Sequence, residues 1–397
     1  METETVRISD AFVAVRRITR QLDQTNIKIL SAMWKFGPRN LLEVSRRTGI
    51  PFTSVYNRVG KLEARSGRIA YLIPQISKVS MTRLVVLVNA KTREVDHVRS
   101  ALKIPNFWWS INPCEGPFTY HSVHAVPVKY LNDFRAYVRE LKNVGLIRDY
   151  RIIRTGEQIP NFPNFRYYVA KTNRWTLPWG SWLSELKKII PHEIEDPTDY
   201  VNLADERDLL IVKELEKNAR KSFADLAPLL GVSLQAVKYR YDKRLVPNGI
   251  VKNFDLDVYP YPIEVSAYHE ILLEFPSNEA MNRFFALQKE LFFILASSKV
   301  IGRTTLIVRT CILESQLHNM FRFFSEMAKE KLLESYSALR LSFKGRETQT
   351  ISYELFDDKN GWVFNPTRCI SELHELVQDR GLMAARKIRT CGNYFRT

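Results

Sequence analysis

Between Ser222 and Lys252 the apolar positions Phe223, Leu226, Leu229 and Leu230 recur with helical spacing and then break at Gly231. The pattern predicts a short helix, a tight turn using the φ > 0 freedom of Gly231, and a second helix N-capped by Ser233. That second helix is expected to bury Val237 and Tyr241 and to leave Gln235, Lys238, Tyr239 and Lys243 outside, with a small β-wing after it. An apolar seam on one side and long polar side chains on the other is what a major-groove reader requires. Taken alone, the same pattern describes an ordinary helical hairpin equally well.

A shift of 182 residues brings a second segment into register: Asp23 falls on Asp205, Ile29 on Ile211, Gly49 on Gly231, Val55 on Val237, Arg58 on Arg240, Lys61 on Lys243 and Gly67 on Gly249. The matches are the turn glycine, the buried valine, the basic helix positions and the wing glycine, which reads as an internal repeat. In the first copy the periodicity predicts helices over Leu22–Ala32, Leu41–Arg47 and Phe52–Leu62. Val55, Val59 and Leu62 face inward; Thr53, Ser54, Tyr56, Asn57, Arg58 and Lys61 face out. Arg65-Ser66-Gly67-Arg68 is a wing turn and Ile69–Ile73 the strand leaving it.

After each helical unit the period changes to alternating strands and helices. Strands are predicted at Arg83–Asn89, Phe107–Ile111, Phe118–Val126 and Ile147–Arg154, with helices at Thr92–Lys103 and Lys129–Val144. The second half repeats the order, from a strand at Val265–Phe275 to one at Tyr336–Phe343. The expected fold is therefore α+β: two winged helix-turn-helix units, each followed by a ferredoxin-like βαββαβ domain. A third matched pair follows, Tyr167–Leu186 with Trp175 and Leu355–Leu373 with Trp362, offset by 187; the Pro-rich first member is a connector with a short helix at Trp182–Ile190. Its expected role is to pack an edge or helix of a sheet domain, with contact of Trp175, Trp179 and Trp182 to a ligand or partner as the alternative. Expected boundaries are an arm at 1–21, helical unit 22–78, sheet domain 79–157, connector 158–200, helical unit 201–260, sheet domain 261–346, and an extension with a basic tail at 347–397.

The formal charge of +16 points to a polyanion, with double-stranded DNA ahead of a membrane because no basic amphipathic anchor is evident. The first helical copy, Leu22–Gln75, carries nine Lys/Arg against three acids, which makes it the expected tighter phosphate binder. Four well-separated cysteines and the lack of an apolar leader fit a cytoplasmic chain without a disulfide scaffold, zinc cluster or cofactor.

The run Leu203–Leu245, with Asp205-x-x-Asp208, Asn218-Ala219-Arg220, Phe223-Ala224-Asp225-Leu226-Ala227, Gly231-Val232-Ser233 and Val237-x-x-Arg240, resembles the winged helix-turn-helix of Lrp/AsnC transcriptional regulators. The βαββαβ order matches that family's ligand-binding and dimerising domain. Members of about half this length pair through their sheet domains, so the resemblance implies a tandem fusion acting as a pseudo-dimer, with further homodimerisation open, on half-sites about 34–36 Å apart. It also implies a small-molecule effector. Where the family carries a glycine shortly before an aspartate, this chain reads Gly116-Pro117-Phe118-Thr119 and Gly302-Arg303-Thr304-Thr305, which speaks against an amino-acid effector.

On this reading the DNA contacts are Thr53, Ser54, Tyr56, Asn57, Arg58, Lys61, Arg65, Arg68, Gln235, Lys238, Tyr239 and Lys243, with Asn57 and Arg58 on base edges; for Arg58, at the place of Arg240, bracing the helix is the alternative. No catalytic constellation is visible: His121 and His124 point to opposite faces of one strand, and the expectation is that the chain is not an enzyme. The rival classes are a siroheme decarboxylase-like enzyme on the same architecture, whose His-Asn-Tyr stretch is absent from Phe107–His124 and Phe292–Arg309, and an interaction protein that has left DNA.

Overall fold

A computed structural model describes residues 22–66, 68–172 and 174–378, the side chains of Arg65 and Ser66 excepted; the expected arm at 1–21 and basic tail lie outside the described residues. The chain opens with helices α1 (Gln24–Phe36), α2 (Leu41–Thr48) and α3 (Phe52–Ser66) and strand β1 (Ala70–Ile73). Next come β2 (Met81–Ala90), α4 (Val95–Lys103), β3 (Trp108–Glu115), β4 (Tyr120–Pro127), α5 (Leu131–Asn143) and β5 (Ile147–Thr155). The connector holds β6 (Ile159–Pro160), β7 (Tyr168–Val169), β8 (Arg174–Trp175) and α6 (Trp179–Leu186). The second helical unit is α7 (Glu206–Lys217), α8 (Phe223–Leu230), α9 (Leu234–Arg240) and β9 (Asn253–Leu256). The second sheet domain is β10 (Ser266–Glu274), α10 (Asn278–Leu287), β11 (Ile294–Lys299), β12 (Thr305–Leu313), α11 (Leu317–Lys329) and β13 (Ser335–Leu341). After it come β14 (Glu347–Thr348), the β15–β16 pair (Phe356–Asp357 and Gly361–Trp362) and a helix over 366–378.

The βαββαβ order is present in both halves, and the strands assemble the same way: β5-β2-β4-β3 in the first and β13-β10-β12-β11 in the second. The pairings β2–β4, β3–β4, β10–β12, β10–β13 and β11–β12 are antiparallel. Each sheet is thus the ferredoxin-like arrangement, with amphipathic helices on one face burying Phe134, Tyr137 and Val138 in the first half and Phe284, Phe324 and Met327 in the second.

The backbone divides into two compact units that cut across chain order. One comprises the residues through Val79 together with Thr155–Arg340; the other is Ser80–Arg154 with the residues from Leu341 onward. The segment after each sheet domain therefore packs with the sheet domain of the other half. In the first unit β6 extends the second sheet, with Ile159 and Pro160 opposite Ser297 and Ala296 on β11. The buried Asn161 amide donates to the carbonyls of Gln288 and Ile294 at 2.8 and 2.9 Å, tying the connector to the end of α10 and the start of β11. In the second unit β14 extends the first sheet, with Glu347 and Thr348 opposite Ile111 and Ser110 on β3. There Phe364 packs on Phe107 and Tyr130, with ring centroids 5.4 and 5.6 Å apart.

The tryptophans of the connector are core residues. Trp182 is fully buried among Tyr167, Phe292 and Phe293, and its indole N–H donates to the Tyr167 hydroxyl at 3.0 Å. Trp175 stacks on Phe292 at 4.2 Å and donates to the carbonyl of Pro260. The connector helix begins at Trp179, three residues before the expected start, because Pro178 fixes the backbone just ahead of it. Replacing Trp182 by Ala is expected to destabilise the first unit by about 3–5 kcal/mol. Urea unfolding followed by circular dichroism measures this; a loss below about 1 kcal/mol would show that the connector is only loosely held.

Candidate nucleic-acid interface

Both helical units are built on the same local chemistry. The side chain of Asp23 accepts from the backbone N–H of Asn26 at 2.7 Å and caps α1; Asp205 accepts from that of Asp208 at 2.9 Å and, in a reciprocal capping box, caps α7. The turns into the outer helices are made by Gly49 and Gly231, with φ of 69° and 63°, a left-handed conformation that a β-carbon would strain. Ser233 caps α9 through a 3.2 Å bond from the Ala236 N–H. Val55, Val59 and Leu62 of α3 and Val237 of α9 are buried as their spacing predicts.

The outer helices α3 and α9 are each locked to the first helix of their unit by an arginine. Arg58 donates to the Asp23 carboxylate at 2.7 Å and the Asn26 side chain at 3.0 Å. Arg240 bonds Asp205 and the fully buried Asp208 at 2.7 and 2.8 Å, and Arg244 joins the same acids at 3.1 and 2.7 Å. Burial pushes the Asp208 carboxyl up, whereas at Asp205 burial is outweighed by the combined hydrogen bonds from Arg240 and the Asp208 N–H and the charges of Arg240 and Arg244, which hold it below the ordinary value. Arg244 reaches the acids because the backbone widens to a π-turn over Tyr241–Leu245, which alters the last turn of the second outer helix relative to the first.

The strands after the outer helices do not fold back as separate wings. β1 and β9 pair antiparallel with each other, with Leu72 opposite Phe254, Tyr71 opposite Asp255 and Ile73 opposite Asn253. Under the 182-residue shift Leu72 maps to Phe254, Tyr71 to Asn253 and Ile73 to Asp255, so the register is symmetric about the Leu72–Phe254 pair. Flanking ties follow the same relation. Arg39 donates to the carbonyls of Ala219 and Lys221 and lies 4.5 Å over the Phe223 ring, while Arg220 donates to the carbonyl of Pro38 and pairs with Glu63 at 2.6 Å.

The sequence-predicted contact residues fall into three groups. Thr53, Tyr56, Asn57 and Lys61 on α3, with Gln235, Lys238 and Tyr239 on α9 and Lys243 in the π-turn, are exposed, and Ser54 is half-buried. Arg58 and Arg68 are committed to protein partners. Arg58 braces α3, and Arg68 donates to the carbonyl of Glu216, sits 4.4 Å over the Tyr71 ring and lies 3.6 Å from Asp257. The expectation that Arg58 meets a base edge and Arg68 a phosphate therefore gives way to roles in holding the helices. The Arg65 side chain lies outside the described residues. Sequence reasoning passed over Phe52 and Leu234, the first residues of α3 and α9, which are 45% and 43% exposed. Both were legible as apolar residues off the buried seam.

His121 and His124 face opposite sides of their sheet. His121 lies opposite Asn112, while His124 is under α5, 4.9 Å from the Phe134 ring, where burial pulls its pKa down to about 3. No helix among the described residues is long and apolar enough to cross a membrane.

Residues 205–243, in the second helical unit, match the AsnC-type helix-turn-helix domain. Among solved structures it is similar to the siroheme decarboxylase NirDL, with a TM-score of 0.50 and 11% identity over 88% of this chain and 98% of that one. It is also similar to an AsnC family transcriptional regulator from Agrobacterium tumefaciens, with a TM-score of 0.30 and 15% identity over 37% of this chain and all (100%) of that one. A third likeness is a transcriptional regulator of Neisseria meningitidis solved with L-Met, with a TM-score of 0.29 and 19% identity over 34% of this chain and 88% of that one. No curated protein matches the sequence. The NirDL likeness corrects one expectation: nearly the whole architecture also occurs in an enzyme, so the lack of a familiar catalytic motif does not exclude catalysis.

The two arginine braces are expected to differ in weight. Arg240→Ala leaves the buried Asp208 with Arg244 and the Asp205 N–H and should cost about 3 kcal/mol, whereas Arg58→Ala, on a half-exposed pair, should cost less than about 1 kcal/mol. Chemical denaturation of the two variants measures the difference; equal costs would mean that the helices are held by packing alone. The strand pair holds a titrating group as well. Burial pushes the half-buried Asp255 carboxyl up to about 7 despite the 2.7 Å bond from the Tyr71 hydroxyl, with Asp257 and Arg68 nearby. A carboxyl whose folded pKa exceeds its unfolded one contributes most when both states are protonated and loses that contribution as pH rises from about 4 to about 7. Asp255→Asn should therefore gain stability over the unaltered chain across that interval and keep the gain above it, as melting temperatures from pH 4.5 to 8 would register. A constant difference at all pH values would show that the carboxyl titrates normally.

Proposed function

We propose that this chain is a sequence-specific DNA-binding transcriptional regulator of Lrp/AsnC type, arisen by tandem duplication and acting as a single-chain pseudo-dimer. The observation that carries the reading is the pair of braced outer helices, joined through a strand pair whose register is symmetric about Leu72 and Phe254, each presenting a polar face to solvent. The match at 205–243 supports the same reading. Asn57 and Gln235 are the residues suited to adenine edges; Thr53, Ser54, Tyr56, Lys61, Lys238, Tyr239 and Lys243 orient the helices on the backbone. The two outer faces differ, so the operator is asymmetric. A small-molecule effector other than an amino acid fits the altered Gly116–Thr119 and Gly302–Thr305 stretches.

A second reading, a siroheme decarboxylase-like enzyme, has a specific observation behind it in the NirDL likeness across most of the chain. Against it stands the missing His-Asn-Tyr stretch. Selection of bound fragments from random duplex DNA, run beside incubation of the protein with siroheme and detection of released carboxylate, separates the two. Enrichment of an asymmetric motif supports the regulator; loss of siroheme carboxylates without enrichment supports the enzyme. Within the regulator reading, Lys61→Ala is expected to weaken all duplexes alike by several-fold and to lower the slope of log affinity against log salt by about 0.9. An unchanged slope in a salt titration would remove Lys61 from the phosphate contacts.

A further inference from the structure

Twelve large apolar side chains are exposed among the described residues, and seven of them lie in the two helical units: Leu42, Phe52, Tyr56, Leu229, Leu234, Tyr239 and Val246. Such a concentration marks a surface that is covered in use. Phe52 and Leu234 hold the same place, the first residue of each outer helix, and are exposed to nearly the same extent, 45% and 43%. Tyr56 lies one turn after Phe52, 59% exposed, with the two rings 6.1 Å apart, so α3 begins with a continuous apolar ridge. The exposed charged residues of the two outer helices and the π-turn, among those whose side chains are described, are Lys61, Lys238, Lys243 and Asp242, with Lys238 one turn after Leu234 and Lys61 further along α3 from Phe52. An apolar helix tip with a mainly cationic exposed face further along suits an anionic partner with small apolar groups set among its polar edges. In the major groove of duplex DNA only thymine offers such a group, its 5-methyl. The N-terminal residues of a groove-reading helix are also those that meet base edges.

We infer that Phe52, extended by Tyr56, and Leu234 read thymine methyl groups, one cluster in each half-site, and so supply a specificity that the polar residues of these helices do not. The inference rests on the regulator reading proposed above and adds the base that each helix tip selects. The arginines suited to guanine are held elsewhere: Arg58 on Asp23, Arg240 on Asp205 and Asp208. With these arginines held on carboxylates, methyl contact adds thymine to the adenine edges that Asn57 and Gln235 suit.

The test uses the full chain and a duplex recovered by selection from random DNA. Each thymine is replaced in turn by deoxyuridine, which removes the methyl group and leaves the pairing edge intact, and affinity is read by fluorescence anisotropy. One or two positions in each half-site should lose about three- to fivefold, the order expected for one methyl-sized apolar contact. Phe52→Ala should abolish the effect in one half-site and Leu234→Ala in the other, each variant binding the deoxyuridine and thymine duplexes equally. A selected duplex bound with full affinity after every thymine has been replaced would overturn the inference while leaving the regulator reading intact. Failure of selection to enrich any sequence would overturn both. Concentration-dependent self-association in sedimentation, dispersed by Phe52→Ala with Leu234→Ala, with no deoxyuridine effect, would assign the ridge to a contact between copies of the chain and overturn the inference too.

Discussion

The antiparallel pairing of β1 with β9 is the constraint on which the helical half of the molecule depends. A two-stranded ribbon is marginal by itself in water. Here it is held by neighbours on both sides: Arg39 and Arg220 tie each unit to backbone carbonyls of the other, and Leu256 joins a core made mainly of first-unit residues. The pairing fixes more than stability. Antiparallel register permits one symmetry centre, and placing it at Leu72 and Phe254 gives α3 and α9 related positions about that centre. A slip of one residue would turn every side chain of the ribbon to its other face and separate the helices from that relation.

The arginine braces act one level up. An ion pair with a buried acid is a modest stabiliser, because desolvating Asp208 offsets much of the attraction. What a short arginine–carboxylate bond supplies is a defined position for the helix that carries it. Arg58 and Arg240 emerge from the outer helices and end on the caps of α1 and α7, so the same carboxylates that start those helices also set where the outer helices lie. The second brace is the stronger because the π-turn brings in Arg244. This alters the electrostatic comparison of the two units. In the first, Arg39, Arg47, Arg58 and Arg68 are all engaged with protein groups, so the excess of basic residues counted along the sequence overstates the charge left for phosphates. In the second, Arg220, Arg240 and Arg244 are engaged likewise, and Lys61 and Lys243 stand exposed at matching places.

The helical pattern, the turn glycines, the capping Ser233 and the βαββαβ order were legible in the sequence because each follows from short-range chemistry: periodicity, φ > 0 or a side chain reaching three residues on. Buried Trp182 was anticipated in kind, as packing against a sheet domain, but which sheet domain was not. Nothing local in Ile159 or Pro160 says that they will pair with Ser297 and Ala296, more than a hundred residues on, instead of with the sheet they follow. The fate of Arg68 was hidden for the same reason, and for Arg58 a base contact and a brace could not be told apart. An exposed-face arginine looks alike in sequence whether it meets phosphate or a carboxylate 35 positions away. Phe52 and Leu234 were passed over because a polar-face criterion discards apolar residues that lie off the seam, although an apolar residue left exposed is the more informative departure.

Likeness of fold does not by itself choose between a regulator and an enzyme, since the siroheme decarboxylase shares nearly the whole arrangement. The choice has to be argued from side chains. Of the buried histidines, His124 lies beneath a helix with its proton affinity suppressed by burial, His121 lies on the other side of the same strand, and His269 is on the second sheet. The exposed polar and apolar side chains of the outer helices stand on capped and braced supports, and α9 lies in the segment that matches an AsnC-type helix-turn-helix domain. Holding such helices in place while leaving Phe52, Tyr56 and Leu234 in water carries a cost in exposed apolar surface. That cost is recovered only by a partner that covers these side chains, whichever of the two readings holds.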